Sequence, residues 1–289
     1  MNRLDPSVYH VPVMLAECID ALQVQPNCWY VDATLGGGGH TAAILERGGK
    51  VIAFDADDVA VHRAQDRFAE QLGTSLVMMH TNFRTMASRL EGYVVHGALF
   101  DLGVSSYQFD YHNRGFSFRL EAPLDMRFSA TGPTAADLLN SLPEEEIARL
   151  IFMYGEDPSA RKIAAAIVRR RTLAPYQTTI DLRETITQHI PPQHHNKTLA
   201  RVFQALRIAV NDELGALQTA LVDVIPYMVK GAHIVVMSYH SLEDRIVKDT
   251  FRDTTQLTVI TKKPIEASEQ EVERNPRARS ARLRVAEVR

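Results

Sequence analysis

Three aspartates and a run of glycines supply the residue types needed to hold a small, nucleotide-like ligand. The stretch Tyr30-Val-Asp-Ala-Thr-Leu-Gly-Gly-Gly-Gly-His40 is apolar up to Asp32, breaks into four glycines and continues into the helix-compatible Thr41-Ala-Ala-Ile-Leu45. A strand, a tight glycine loop and a helix start, in that order, mark the place where open α/β sheets bind such ligands. Glycine admits positive φ and lets a ligand lie against bare main chain. Gly36 and Gly38 occupy the first two positions of the dinucleotide fingerprint, and Thr41 stands at the third. A second apolar run, Lys50-Val-Ile-Ala-Phe-Asp55, ends on an acid 19 residues beyond Gly36. At that offset a carboxylate accepts hydrogen bonds from a ribose diol; the competing role for Asp55 is to cap the next helix. Gly97-Ala-Leu-Phe-Asp101 ends on a third acid. If these runs are strands of one parallel sheet, Asp32, Asp55 and Asp101 face one crevice. Phe83, after a third run at 75–79, is placed either to cover a base face or to fill the core.

The elements that must position these groups follow from periodicity. Apolar residues at helical spacing after Pro12 predict a helix over 13–22, and strands are expected at 29–33, 50–55, 75–79 and 97–101, with helices ending near Glu46 and spanning 57–72 and 84–91. Gly103-Val-Ser105-Ser-Tyr107 lacks the second glycine of a nucleophile elbow, which argues against a serine hydrolase. From Asn113 to about Arg201 the strand–helix alternation stops. Ser141-Leu-Pro-Glu144 has capping-box spacing, Gly155 is placed to stop that helix, and 160–171 and 179–190 read as two more. Leu199, Val202, Phe203, Leu206 and Val210 form a helical stripe, and a following helix is expected to end near Gly231. The sheet resumes at 233–238, Ser241 and Asp244 have N-cap spacing, and 257–261 and 283–288 complete about seven strands. The fold expected is therefore α/β, with 113–206 an inserted helical subdomain between 1–112 and 207–289.

Composition narrows the class. The 289 residues are 45% hydrophobic and 23% charged, with no apolar run long enough to span a membrane and no signal-peptide pattern at Met1 to Pro6. A cytoplasmic protein is expected. Cys18 and Cys28, both read as buried, are too few for a disulfide framework, and His189, His194 and His195 match no zinc spacing, so no metal site is expected. The net charge of −3 divides into −6 over 1–112, +2 over 113–206, −3 over 207–244 and +4 over 245–289. Basic charge is thus set apart from the glycine loop, as in a protein with a small-molecule site in one part and a polyanion-facing surface in another. Arg274-Asn-Pro-Arg-Ala-Arg-Ser-Ala-Arg282 reads as a basic loop with phosphate-contact character.

Two ligands compete for the loop: a nicotinamide dinucleotide, as in an oxidoreductase, and S-adenosylmethionine. A dinucleotide needs a helix N-terminus for its pyrophosphate and usually a second nucleotide-binding half. The third fingerprint glycine is absent and the later strands do not repeat the loop, which favours S-adenosylmethionine. Seven blocks then carry a wider likeness: Asp32 to His40, Asp101-Leu-Gly-Val-Ser-Ser106, Arg114-Gly-Phe-Ser-Phe118, Pro123-Leu-Asp-Met-Arg127, Phe203 to Asn211, Ser241 to Lys248 and Asn275 to Ser280. In order and over nearly the whole chain, they resemble the signature blocks of the RsmH (MraW) family. The resemblance implies a Rossmann-like class I methyltransferase that methylates the N4 amino group of a cytidine in small-subunit (16S) ribosomal RNA. Tyr107 and Tyr239 stand where that family often has Pro and Phe.

The resemblance further implies that Gly38, Gly39 and His40 line the methionine end of S-adenosylmethionine. Gly36 is left as the turn-former. Asp55 would hold the ribose, Phe83 would flank the adenine, and Asp101 and Gln108 would complete the pocket. For the chemistry, an acceptor at the end of the fourth strand would take the hydrogens of the substrate amine; Asp101 is the candidate catalytic residue, with the backbone of 103–106 as its competitor. The partner implied is ribosomal RNA, free or in an assembled 30S subunit, without membrane or DNA, and a homodimer is compatible with the sequence. Candidate phosphate contacts are Arg114, Arg127, Arg169, Arg170, Arg171 and Arg277. The non-enzymatic alternative is an RNA-binding protein with a vestigial cofactor site.

Overall fold

Five strands of the sheet are parallel, and their sequences show why. In the computed structural model, which describes residues 12–103 and 114–289, β1 is Trp29–Asp32, β2 Lys50–Asp55, β3 Leu76–His80, β4 Val95–Asp101 and β5 Met228–Ser238. The apolar runs Val-Ile-Ala-Phe of β2 and Ala-Leu-Phe of β4 are buried on both sides, as a parallel sheet covered by helices requires. β6 (Leu257–Val259), β7 (Ile265–Glu266) and β8 (Arg282–Val288) complete it. The order is β3-β2-β1-β4-β5-β8-β6, with β7 also on β8, and β8 runs antiparallel to β5, β6 and β7. Asp55 pairs in register with His80, and Asp101 with Met237. Because β1 pairs with both β2 and β4, the strand order reverses there, which sets a ligand crevice at the carboxyl ends of those strands.

The helices follow in chain order: α1 Leu15–Leu22, α2 Gly39–Glu46, α3 Asp58–Arg67, α4 Ala135–Ser141, α5 Glu144–Gly155, α6 Ala160–Arg171, α7 Thr179–His189, α8 His195–Asn211, α9 Glu213–Asp223, α10 Ser241–Asp253 and α11 Glu269–Arg274. Alternate strand residues feed two cores. Val31, Ile52, Phe54, Phe100 and Val236 pack with Leu217 and Leu221 of α9 and Phe251 of α10. Val51, Ala53, Leu99 and Val235 pack with Cys18 and Ile19 of α1 and Ile44 of α2. The chain divides into two units, Met1–Gly103 with Leu214–Arg289, and Val104–Glu213. The second has its own core, in which Ile147, Ile151, Ile163, Ile167, Leu182, Ile186, Val202 and Leu206 meet. Helix α8 runs unbroken through residue 207 to Asn211, so this division falls later than 206/207.

Several local expectations are corrected. Ser141 ends α4 and donates to the Asp137 carbonyl instead of capping α5; among the described residues of this unit the capping boxes are Thr134/Asp137 and Thr178/Asp181. Gly155 does not stop α5 by turning left-handed; Glu156 does, at φ 49°. A Cβ on Gly155 would come 2.7 Å from the Arg201 carbonyl of α8, so glycine is there to let two helices meet. Gly231, φ 82°, lies inside β5 and ends no helix. The expected helix after Phe83 is a 3-10 helix, Phe83–Arg89, α3 stops at Arg67, and Arg274 to Arg282 is the end of α11, a 3-10 turn and the start of β8 instead of an open loop. Cys18 is buried and Cys28 only partly so.

Candidate active site

The glycine loop is held open by its neighbours' side chains. Asp32, 1% exposed, accepts from Thr41 Oγ1 at 2.6 Å and from the Thr34 amide at 3.2 Å, and burial raises its carboxyl above the ordinary range. Each oxygen is bonded inside the loop and the residue is buried, whereas Asp55 is only partly so, so Asp32 organises the crevice and does not line it. Thr34 Oγ1 in turn accepts the Asp101 amide at 2.7 Å and ties the end of β4 to the loop. Thr41, read from sequence only as the missing third glycine, and Thr34 were therefore missed. Their one signal is their place two and nine residues after Asp32. Gly36 and Gly38 take φ of 48° and 72°, which only glycine adopts without strain. A Cβ on Gly38 or Gly39 would collide with Phe68 or Pro12, whereas that direction at Gly36 is nearly open. Gly38 caps α2, and Gly39 and His40 form its first turn.

Asp55 stands at the end of β2 with its two oxygens on different donors, the Gly36 amide and the Asp57 amide, both at 2.8 Å. Asp57, not Asp55, caps α3. A carboxylate has about four acceptor positions, so the two that remain match the two hydroxyls of a ribose. Burial pushes its carboxyl up to about 6, against the Asp57 and Gly36 amides that favour the charged form. Phe83 follows β3, partly buried and edge-on to Phe100 with ring centroids 6.0 Å apart; it contributes to the core and keeps an accessible side.

At the end of β4, Asp101 Oδ1 accepts the Tyr239 hydroxyl at 2.8 Å and the Gly103 amide at 3.2 Å. Its Oδ2 lies 3.8 Å from His40 Nδ1 and accepts no hydrogen bond among the described residues. His40 is 5% exposed, and its Nε2 has no partner among them. Free acceptor capacity at Asp55 and an orphaned buried nitrogen at His40 are what a site built for a polar nucleoside-like cofactor would show. Gln108 and the 104–106 backbone lie outside the described residues.

The candidate phosphate contacts divide. Arg127 makes a two-bond pair with Asp125 at 2.7 and 2.8 Å and donates to the carbonyls of Ala130 and Gly132. Arg170 bonds Asp181 at 2.6 Å and the Ala174 and Pro175 carbonyls. Arg171 caps the Leu139 and Leu142 carbonyls at 2.7 Å. Those three brace the helical unit, because helix and turn carbonyls without an intrahelical partner need donors. Arg114 donates to Phe128, while Arg169 and Arg277 are exposed.

A parallel five-stranded sheet with an antiparallel strand inserted beside β5, a glycine loop after β1 and an acid ending β2 define a Rossmann-like class I methyltransferase. The chain belongs to the MraW methylase family, whose model matches residues 7–289. It is 46% identical to the ribosomal RNA small subunit methyltransferase H of Deinococcus radiodurans, over 98% of this chain and 90% of that one. The enzymes of the same name from Desulfotalea psychrophila (44%, covering 98% and 99%) and Heliobacterium mobile (43%, covering 96% and 98%) are similar over comparable lengths. Membership removes the nicotinamide-dependent oxidoreductase from consideration.

Proposed function

We propose that this chain methylates the N4 amino group of a cytidine in small-subunit ribosomal RNA, using S-adenosylmethionine. The observation that carries the reading is Asp101 Oδ2, which accepts no hydrogen bond among the described residues, at the same carboxyl end of the sheet as the Asp55 carboxylate and beside the glycine loop. Asp55 would hold the ribose, Phe83 would flank the adenine with its accessible side, and the Gly38–His40 turn would meet the methionine end, with Gln108 also assigned to the pocket. When bound, S-adenosylmethionine supplies an electrophilic methyl group. The chain's own task is then to hold a poorly nucleophilic amine and to take its proton. Asp101 Oδ2 accepts one N4 hydrogen, which localises the nitrogen lone pair and provides a base for the proton released. Orientation of this kind accounts for roughly 7–11 kcal/mol of barrier lowering in well-aligned reactants.

The test is transfer of labelled methyl to small subunits, and separately to naked RNA, from cells lacking this protein, followed by nucleoside analysis. Label in N4-methylcytidine is expected. Label confined to protein or DNA would contradict the proposal, and tight RNA binding without transfer would favour the vestigial-site alternative. No helix among the described residues is long and apolar enough to cross a membrane, and action in the cytoplasm on free or assembled subunits belongs to the same proposal.

Cofactor binding should depend on pH through Asp55. Ionised, its carboxylate accepts both ribose hydroxyls; protonated, one oxygen becomes a donor. With the carboxyl at about 6, affinity for S-adenosylhomocysteine is constant above that pH and declines below it toward about tenfold per unit. Calorimetry from pH 5 to 8 measures this, and Asp55→Ala should bind weakly with no such slope. A wild-type affinity that stays flat across the range would remove Asp55 from the ribose site.

Among the arginines, Arg169 is assigned to phosphate and Arg171 to structure. Arg169→Ala should lower RNA affinity and reduce the salt slope by roughly 0.7–0.9, with unchanged thermal midpoint. Arg171→Ala should lower the midpoint instead, by depriving Leu139 and Leu142 of their donor. The reverse pattern, read by filter binding and calorimetric melting, would show that the assignment is inverted.

A further inference from the structure

Tyr239 belongs to the turn that leaves β5, at a position where the resembled family often has Phe. The structure surrounds it with constraints. Its backbone amide donates to Glu243 Oε2 at 2.8 Å, and the next amide, His240, reaches the same oxygen at 3.3 Å. His240 Nδ1 accepts the Glu243 amide at 3.3 Å, so the first turn of α10 is closed by a reciprocal box between His240 and Glu243. Glu243 is 3% exposed, a burial that a carboxylate tolerates only when hydrogen-bonded. The ring of Tyr239 lies flat enough against Gly103 that a Cβ there would come 2.9 Å from Cε2. Backbone and ring are therefore both fixed, and the hydroxyl has one place to point: Asp101 Oδ1, 2.8 Å away.

Resting on the reading of Asp101 given above, we propose that Tyr239 is a positioning residue for methyl transfer: its hydroxyl engages one oxygen of Asp101 so that the other faces the reacting amine. A carboxylate on a single-bonded stem rotates freely, and a base misaligned by an ångström loses much of its advantage. The Gly103 amide, at 3.2 Å on the same oxygen, is the longer of the two contacts and cannot alone fix the plane of the carboxylate. Burial, and then the negative charge of Asp101, raise the Tyr239 phenol well above its usual value, so it stays a donor through the working range of pH.

Tyr239→Phe removes one oxygen and leaves the ring that packs on Gly103. It should lower kcat about tenfold, the scale of one hydrogen bond to a charged group, while KM for cofactor and RNA changes less than twofold and the thermal midpoint stays. In an Asp101→Asn background, the same change should alter the residual single-turnover rate less than twofold, because the two residues act as one unit. Unchanged kcat in Tyr239→Phe, or an equal loss in both backgrounds, would overturn the proposal. A crystal structure of Tyr239→Phe gives a readout independent of activity: the Asp101 carboxylate should be rotated from its place in the parent protein, and an unmoved carboxylate would overturn the proposal as well. A parent protein that transfers no methyl would overturn the proposed function, while the crystallographic comparison would still decide the coupling.

Discussion

Asp101→Asn should lower kcat by about 10²–10⁴-fold, the range typical of a lost general base, while S-adenosylmethionine still binds. The substitution is nearly isosteric and keeps most of the local bonding. An asparagine carbonyl in the place of Oδ1 still accepts the Tyr239 hydroxyl and the Gly103 amide, and the backbone bond from residue 101 to Thr34 is untouched. What changes is the position 3.8 Å from His40, where an amide nitrogen replaces Oδ2. A donor there faces the hydrogens of the substrate amine instead of accepting one, and no base remains to take the proton. The loss should appear in kcat and in kcat/KM alike, which marks an interaction made in the transition state. Single-turnover methylation of subunits, with calorimetry of the same variant against S-adenosylhomocysteine, separates the two effects. Full turnover with intact binding would move the acceptor role to the 103–106 backbone, the alternative raised by the sequence.

The sheet was readable because the central strands β1, β2 and β4 carry apolar runs buried on both faces, and because all three end on acids. The roles of those acids were less readable. Asp32 and Asp55 look alike in sequence, but Asp32 is buried and accepts from the Thr41 hydroxyl and the Thr34 amide, whereas Asp55, at the partly exposed end of β2, meets two backbone amides; burial and one hydroxyl separate them. The start of α10 shows a second limit. Ser241/Asp244 and His240/Glu243 have the same three-residue spacing, one position apart, and the structure uses the second pair. Burial of Leu242, Val247 and Phe251 sets the helix phase, and with it which pair caps. Asp244 is thereby released for another task. The basic runs mislead for a related reason: Arg170 and Arg171 satisfy backbone carbonyls, and only a folded chain has carbonyls that need them. β7, two residues long, leaves no periodic trace.

Asp244→Ala should destabilise the protein by about 3–5 kcal/mol at pH 7, the cost of leaving a buried charge without its partner. Asp244 sits in the first turn of α10 and Arg284 in the middle of β8, 9% and 6% exposed. Arg284 Nε and Nη2 donate to the two carboxylate oxygens at 2.6 and 3.1 Å, and Arg282 reaches Oδ2 at 3.4 Å. Desolvation alone would raise the Asp244 carboxyl; the bonds and charge of Arg284, then Arg282, outweigh it and hold the group below its usual value. A depressed carboxyl contributes stability that is complete above the unfolded value of about 3.9 and is lost as pH falls through the folded one. The gap between parent and Asp244→Ala in urea titrations should therefore be widest near neutrality and narrow below about pH 4. A gap under about 1 kcal/mol at pH 7, smaller than a buried pair implies, or one that ignores pH, would refute the assignment. The pair also bears on catalysis. The turn that carries Asp244 carries His240 and Glu243, and these hold Tyr239 against Asp101. At temperatures where Asp244→Ala remains folded, kcat should still fall, and Tyr239→Phe should then add little to the loss. Through Arg282 and Arg284 the antiparallel strand β8 is in this way tied to Asp101, the residue proposed to take the proton.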